Sequence, residues 1–227
     1  MRTEKAVSDH RGIVLLAGGA SRRMGQDKWM LETNEATVLE RIISVLYPLG
    51  TELWVIAAGA DELDDPNKFP DLSIHFPNLH TTHDKSRDMG PLAGIAAGLA
   101  HCAQPYILVS ATDMPFPSKT LAEALFDLCL RQNADAAVPE WKGRLHPLFA
   151  IYRRDCLDTL TAYLAGGGRK VMDWLLSLDI AILPEKEIEQ LDPEGTALFN
   201  MNRQEDYTLA LKIIRERAGI LRTNALP

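Results

Sequence analysis

Residues 16–28 read LAGGASRRMGQDK, so Gly18 and Gly19 follow an apolar run directly and Arg22, Arg23 and Lys28 come soon after. Glycines at such a point let backbone N–H groups approach phosphate oxygens, and the three cations neutralise the charge those oxygens carry. A second chemical candidate, Asp113, ends the run YILVSAT, where a carboxylate can hold Mg²⁺ against the same phosphates. Taken singly, each has an ordinary explanation. A glycine pair turns the chain, and an aspartate before Met-Pro makes a turn or caps a helix. Occurring together at the ends of two apolar runs, they point to nucleotide phosphates and a metal ion.

Other familiar chemistries are missing. The spacing from Gly19 to Lys28 does not give GxxxxGK[ST], no GxGxxG follows the first apolar run, and Ser21 does not sit in GxSxG. The standard ATPase phosphate loop, a dinucleotide fold and a nucleophile elbow therefore lose support. His80-Thr-Thr-His83-Asp84 contains metal-competent side chains, but with no further ligands on a polar stretch it reads as exposed or adjacent to substrate. The four tryptophans read as packing, with Trp141, near Lys142, Arg144 and His146, a candidate to flank an acceptor. Cys102, Cys129 and Cys156 form no CxxC pair and are expected to be buried free thiols.

The elements that must position these residues alternate. Residues 12–16 (GIVLL), 53–58 (LWVIAA) and 106–110 (YILVS) are short apolar runs of buried-strand type, and 73–76 is a weaker candidate before a polar loop at 80–88. Between them, Leu39, Ile42, Ile43 and Leu46 recur at helical spacing, Gly90-Pro91 opens a helix, and Ser118 caps another that runs to about Arg131. Ala93, Gly94, Ala97 and Gly98 leave a surface of small residues that something must pack against closely. Such alternation predicts an α/β fold of the doubly wound kind, a mostly parallel sheet with helices on both faces. Beyond Ala134 the pattern loosens: strands at 136–139 and 145–152, a helix, a break at Gly166-Gly167-Gly168, a helix from Arg169 to about Leu178, a return to the core at 198–201, and a final helix from Gln204 to about Arg217.

The expected organisation is a single domain over residues 12–217, with short extensions at 1–11 and 218–227. Its nucleotide-binding part spans about 12–133, an acceptor part about 134–197, and 198–217 returns to the core. With 46% apolar and 24% charged residues the chain has the composition of a globular protein, and a net charge of −7 argues against sequence-independent nucleic-acid binding. The first twelve residues hold charges but no apolar segment of signal-peptide length, and no run approaches the roughly 20 residues of a membrane span. A cytoplasmic protein without membrane partners is expected.

The stretch from Leu16 to Lys28 closely resembles the signature of molybdenum cofactor guanylyltransferases, within the wider nucleotidyltransferases that resemble sugar-nucleotide pyrophosphorylases. Gly90-Pro91-Leu-Ala-Gly94 is similar to that family's second element, Ala111-Thr-Asp113-Met-Pro115 to its metal-binding turn, and Asn200-Met-Asn202 to its C-terminal element. His146-Pro147 and Gly168-Arg169-Lys170-Val-Met172 also resemble family segments, so the likeness extends from residue 12 to about 210.

The resemblance implies a Rossmann-like nucleotidyltransferase that joins GTP to molybdenum-molybdopterin, giving the guanine dinucleotide cofactor and pyrophosphate. It implies that Leu16, Ala17 and Gly18 bind GTP through the backbone, with Gly19 and Lys28, and that Asp113 holds Mg²⁺ with Asn202 as a second metal or substrate contact. Arg23 takes the place of the family's loop arginine and joins Lys28 and Asp113 as catalytic candidates, while Arg22 has no assigned role. Asp84, rather than Asp88, matches the family's aspartate ahead of Gly90, Pro91 and Gly94, and His146, Arg169 and Lys170 are candidates for the acceptor. Handover of the product implies contact with molybdoenzymes or their chaperones. Such a transfer demands alignment and charge compensation more than a general base, because a phosphate nucleophile with a second pKa of about 6 is already ionised. One departure is evident. The second strand ends in Ala57-Ala58-Gly59, without the asparagine amide the family often places there. The competing readings are a CTP-using enzyme on the same acceptor, a sugar-phosphate nucleotidyltransferase, and a non-catalytic nucleotide-binding partner in cofactor assembly.

Overall fold

A computed structural model describes residues 10–18, 32–33, 36–58, 72, 74–84 and 90–223, with backbone alone at 32–33, 215 and 217–223. The first strand, β1 (Arg11–Ala17), shows why a continuous apolar run was needed. Its side chains alternate between two cores: Ile13, Leu15 and Ala17 enter one, Val14 and Leu16 the other. A strand buried on both faces requires helices on both faces.

A small ladder, β2 (Glu32–Thr33) with β3 (Ala36–Thr37), leads into α1 (Val38–Leu46), which buries Val38, Leu39, Ile42, Ile43 and Leu46. Thr37 and Glu40 close a capping box there: the Thr37 hydroxyl accepts from the Glu40 N–H at 3.2 Å and the Glu40 carboxylate accepts from the Thr37 N–H at 2.7 Å. Next come β4 (Glu52–Ala57), β5 (Leu79–His83), α2 (Pro91–His101), β6 (Tyr106–Ala111) and α3 (Lys119–Gln132). Ser118 caps α3 by accepting from Leu121 N–H at 3.2 Å, as its position predicts. The remainder comprises β7 (Ala136–Trp141), β8 (Arg144–Leu145), β9 (Phe149–Arg153), α4 (Cys156–Ala165), α5 (Val171–Leu175), β10 (Ile180–Leu183), α6 (Glu185–Leu191) and α7 (Gln204–Thr223).

The main sheet runs β10-β7-β9-β6-β1-β4-β5, with β8 paired to β7. Along that path only β9 opposes the others. The fold is the expected α/β doubly wound, mostly parallel sheet. Because β4 and β6 flank β1 on opposite sides, chain direction switches at β1, and the crevice beyond the carboxyl ends of β1 and β6 is where such sheets bind ligands.

Several local expectations change. Residues 74–76 form a turn in which His75 and Phe76 donate to the Leu72 carbonyl, and the edge strand lies instead at Leu79–His83, inside the stretch read as a polar loop. Only Leu79 of that strand is buried, so little apolar signal marks it. The strand expected at 145–152 is split into β8 and β9 around Pro147, which has no N–H to give a ladder. The helix expected from Arg169 to Leu178 is the five-residue α5, preceded by Lys170 in extended conformation. The short edge strand β10 and the seven-residue α6 had no strong pattern to announce them.

Candidate active site

Backbone and hydroxyl hydrogen bonds tie the carboxyl ends of the strands together. Thr112 donates its N–H and its hydroxyl to the Leu16 carbonyl, at 3.1 and 3.2 Å, fastening the end of β6 to the end of β1. Asp84 N–H donates to the Ala57 carbonyl at 2.9 Å, so this mostly buried aspartate stands where β5 ends beside β4. Met201 N–H donates to the Asp113 carbonyl at 2.8 Å. That bond brings Asn202 to the metal-turn candidate from the far end of the chain. The Asn202 and Arg203 N–H groups both donate to Asp206 Oδ2, at 2.8 and 2.7 Å, which fixes the segment as it enters α7.

Two glycines shape the opening. A Cβ on Gly18 would stand 2.9 Å from the Ala58 nitrogen, so the backbone leaving β1 runs tight against the residue that ends β4. The position where the family amide is missing thus holds Ala58 against Gly18. Gly90 adopts φ +59°, a conformation side chains resist, and nothing among the described residues lies within 4 Å of where its Cβ would be. It is followed by Pro91 in the first turn of α2, whose partial positive end therefore opens at this edge.

The small-residue face of α2 has its partner. Gly94 packs against the Leu16 side chain, with 3.0 Å between its would-be Cβ and Leu16 Cδ2, and Gly98 presses on Val14. This close packing accounts for the glycine at 94 and sets the height of Gly90 over β1.

The acceptor candidates come from a part of the chain whose direction the antiparallel β9 reverses. His146 lies between β8 and β9 at the carboxyl edge; its N–H donates to the Pro139 carbonyl at 3.0 Å and its carbonyl accepts from Phe149 N–H at 3.1 Å. Burial and the nearby Arg144 charge hold the His146 imidazole below its usual 6.5, against the opposing effect of a hydrogen bond to the Trp141 backbone. The lowering favours the neutral imidazole, which offers hydrogen bonds rather than charge. Tyr152, stacked on Trp174 at 5.3 Å, donates its hydroxyl to the Pro147 carbonyl at 2.9 Å and so buttresses the same segment.

Since β9 ends at the amino edge, α4 runs back toward the carboxyl edge, packed on α2, and delivers the glycine break and Arg169 and Lys170 there. Arg169 Nη1 donates to the Gly168 carbonyl at 2.7 Å and to Leu164 at 3.4 Å, capping α4, while exposed Lys170 lies 4.0 Å from Asp173. The edge thus gathers Leu16, Ala17, Gly18, Asp84, Gly90, Pro91, Asp113, Asn202, His146, Arg169 and Lys170. Gly19, Arg22, Arg23, Lys28 and Asp88 lie outside the described residues.

Two residues important to this geometry escaped sequence reasoning. The partner of Thr112 is a carbonyl 96 positions upstream, and Tyr152 serves a carbonyl reached through a turn, so neither carries a local signal. The His80/His83 pair lies on a strand, where an odd separation sends side chains to opposite faces. His80 stacks instead on Trp54, at 4.7 Å. Among the described residues no group of three or more His, Cys, Asp and Glu is arranged to hold a metal. All three cysteines are buried free thiols, and burial is the first cause that pushes each up to about 12, consistent with inert packing.

A family model described as the MobA-like NTP transferase domain matches residues 13–180. A relative from Methanosarcina mazei, named a probable molybdenum cofactor guanylyltransferase, is 31% identical over 217 residues, covering 92% of this chain and 94% of its own. The solved structure of molybdopterin-guanine dinucleotide biosynthesis protein A from Archaeoglobus fulgidus aligns with a TM-score of 0.74 at 24% identity, over 92% of this chain and 98% of that one. The 4-diphosphocytidyl-2C-methyl-D-erythritol synthase of Anaerococcus prevotii shares the fold at a TM-score of 0.69 and 12% identity, over 92% and 99% of the two chains. The chain belongs to the MobA-like NTP transferase family and is a nucleotidyltransferase of molybdenum cofactor biosynthesis.

Proposed function

We propose that the protein transfers GMP from GTP to the phosphate of molybdenum-molybdopterin, releasing pyrophosphate and forming the guanine dinucleotide cofactor. The observation that carries this reading is the Met201–Asp113 hydrogen bond, which joins the C-terminal Asn-Met-Asn element to the strand-end aspartate at the same edge as Gly18 and Gly90. The names of the full-length relatives supply the base and the acceptor.

In this reading Leu16, Ala17, Gly18 and Gly19 present backbone groups to the nucleotide, with Asp84, Gly90, Pro91 and Gly94 completing its side of the crevice. Arg23 and Lys28 offset the charge on the triphosphate, and His146, Arg169 and Lys170 receive the acceptor. Asp113 and Asn202 are both hard oxygen donors, which suits Mg²⁺, an ion that keeps one or two protein ligands and takes the rest from phosphates and water. When bound, Mg²⁺ would offset charge on the phosphates between which the bond is exchanged.

An oxygen of the acceptor phosphate attacks the α-phosphorus in line, the bond from that phosphorus to the bridging oxygen breaks, and the electron pair leaves with pyrophosphate. The chain's task is to align two anions and to exclude a competing water. Residues 12–217 act as one domain in this account, with 134–197 on the acceptor side. No helix of the described residues is long and apolar enough to cross a membrane.

The test is a competition in which GTP, CTP, ATP and UTP are offered together with molybdenum-loaded molybdopterin and Mg²⁺, and the dinucleotide product is identified by mass. The guanine dinucleotide is the expected product. A cytosine dinucleotide, or transfer to sugar phosphates in its place, overturns the proposal.

A further inference from the structure

Beside the Asp113 turn the surface opens into a pocket of about 290 Å³. Phe116, Trp141, Phe199 and Ile213 wall it, exposed Lys142 and Glu194 stand at its rim, and half-buried Asn200 lies between. Its place is set by the sheet. Trp141 ends β7, two strands from β6, whereas β1 and Gly18 lie on the opposite flank of β6. With neighbouring strands about 4.8 Å apart, the tryptophan wall stands roughly 10 Å from the aspartate turn, on the side away from Gly18. Two chain links keep the pocket there. Phe116 follows Asp113 by three residues, and Asn200 precedes Met201, whose N–H is held by the Asp113 carbonyl at 2.8 Å.

The lining is aromatic and rigid. Phe116 and Phe199 face each other at 6.2 Å between ring centroids, and Lys142 Nζ stands 5.6 Å from the centre of the Trp141 indole. Gly195, at φ +62°, lies so close on that indole that any Cβ would overlap it, so the ring cannot swing toward the 3₁₀ turn at Thr196–Leu198. A pocket at the small end of the size range for small-molecule sites, about 300 Å³, fits one fused ring system. Ten residues line it, against about 20–30 a side in a stable protein interface. Aromatic walls with an amide, an ammonium and the Glu194 carboxylate around the mouth suit a planar heterocycle that carries both donors and acceptors on its edge.

We propose that this pocket receives the heterocyclic ring of the phosphate-bearing acceptor, so that its phosphate arm spans the remaining distance to Asp113. The inference rests on the acceptor reading given above and adds to it the place where the ring is held and the residues that select it.

Calorimetric titration with 6-hydroxymethylpterin phosphate, in the presence of Mg²⁺ and a non-hydrolysable GTP analogue, tests it on the full chain. Ile213→Trp, which fills the pocket, is expected to weaken binding of the pterin probe by about tenfold or more, and Asn200→Ala by about threefold to tenfold. Affinity for the GTP analogue should stay within about twofold in both, which also reports that each variant is folded. Should Ile213→Trp fail to fold, Asn200→Ala and Lys142→Ala at the mouth give the same reading. Unchanged pterin affinity in folded pocket variants overturns the inference while leaving the guanylyltransferase reading intact, and would direct attention to a partner's side chain as the occupant. A wild-type protein that ignores the pterin probe yet transfers nucleotide to a different phosphate overturns both.

Discussion

The two edges of the central sheet are built differently. At the amino edge charges are tied to one another or to backbone: Glu52 accepts from Trp54 Nε1 at 3.0 Å and from the Ala103 and Gln104 N–H groups at 2.7 and 3.1 Å, and Arg11 meets Asp127 at 3.1 Å. Arg153 joins Asp135, at 3.8 Å, and Asp155. At the carboxyl edge hydrogen bonds hold strand ends in register, from Thr112 to Leu16, Asp84 to Ala57 and Met201 to Asp113, while Gly18 and Gly90 leave the opening. The amino ends of α2 and α3 also face that opening, and their dipoles favour anions there. One edge holds the fold together, and the other is the open one, where the proposed function puts the phosphate chemistry.

The largest effect should come from the open edge. Asp113→Ala is expected to lower Mg²⁺-dependent pyrophosphate release by about 10²–10³-fold or more, with little change in melting temperature. Wild-type turnover in that variant would remove the aspartate from the chemistry and with it half of the contrast.

Glu52→Gln probes the closed edge. Burial acts first and pushes the Glu52 carboxyl up, yet hydrogen bonds from Trp54, Ala103, Cys102 and Gln104 together bring it below its ordinary 4.5. A carboxyl lowered in the native state stabilises the fold fully above the unfolded value, and that contribution is lost as pH falls through the native value. The variant should lose about 1 kcal/mol at pH 7, allowing for the partial exposure of the group, and show a flatter acid limb. Urea unfolding at pH 7 and below 4.5 measures both. Turnover per folded molecule should be unchanged, and a variant that keeps its stability but loses activity would reverse the assignment of the edges.

The smallest effect is predicted between the edges. Ser110 is fully buried on β6 and its hydroxyl has no hydrogen-bond partner among the described residues. Ser110→Ala should therefore raise stability by up to about 1 kcal/mol, read by denaturant unfolding, since it removes a desolvated polar atom without opening much space. A clear loss would mean that the hydroxyl holds a structural bond.

Much of residues 12–133 was legible in the chain because the signals there are local. The apolar runs of β1, β4 and β6 are buried on both faces, α1 carries its capping box and apolar spacing, and Asp113 sits where an apolar run stops. Residues 134–197 were less so. Their part of the sheet contains β9, which runs against its neighbours, a proline splits β8 from β9, and β10 and α6 are short enough to leave no period. Even β5 hid among threonines and histidines, because an edge strand with one buried residue has little apolar pattern to show.

The sequence by itself determined the chemistry on offer: glycines and cations after one apolar run, a carboxylate after another, and alternating elements that make a parallel sheet. Those properties depend on residues near one another in the chain. Tertiary structure alone decided that Asn202 meets the Asp113 turn, that the reversal at β9 returns His146, Arg169 and Lys170 to the same edge, and that Gly94 serves the packing of α2 on Leu16. Each of these depends on how distant strands are ordered and directed in the sheet, and that is settled by burial across the whole core rather than by any local stretch.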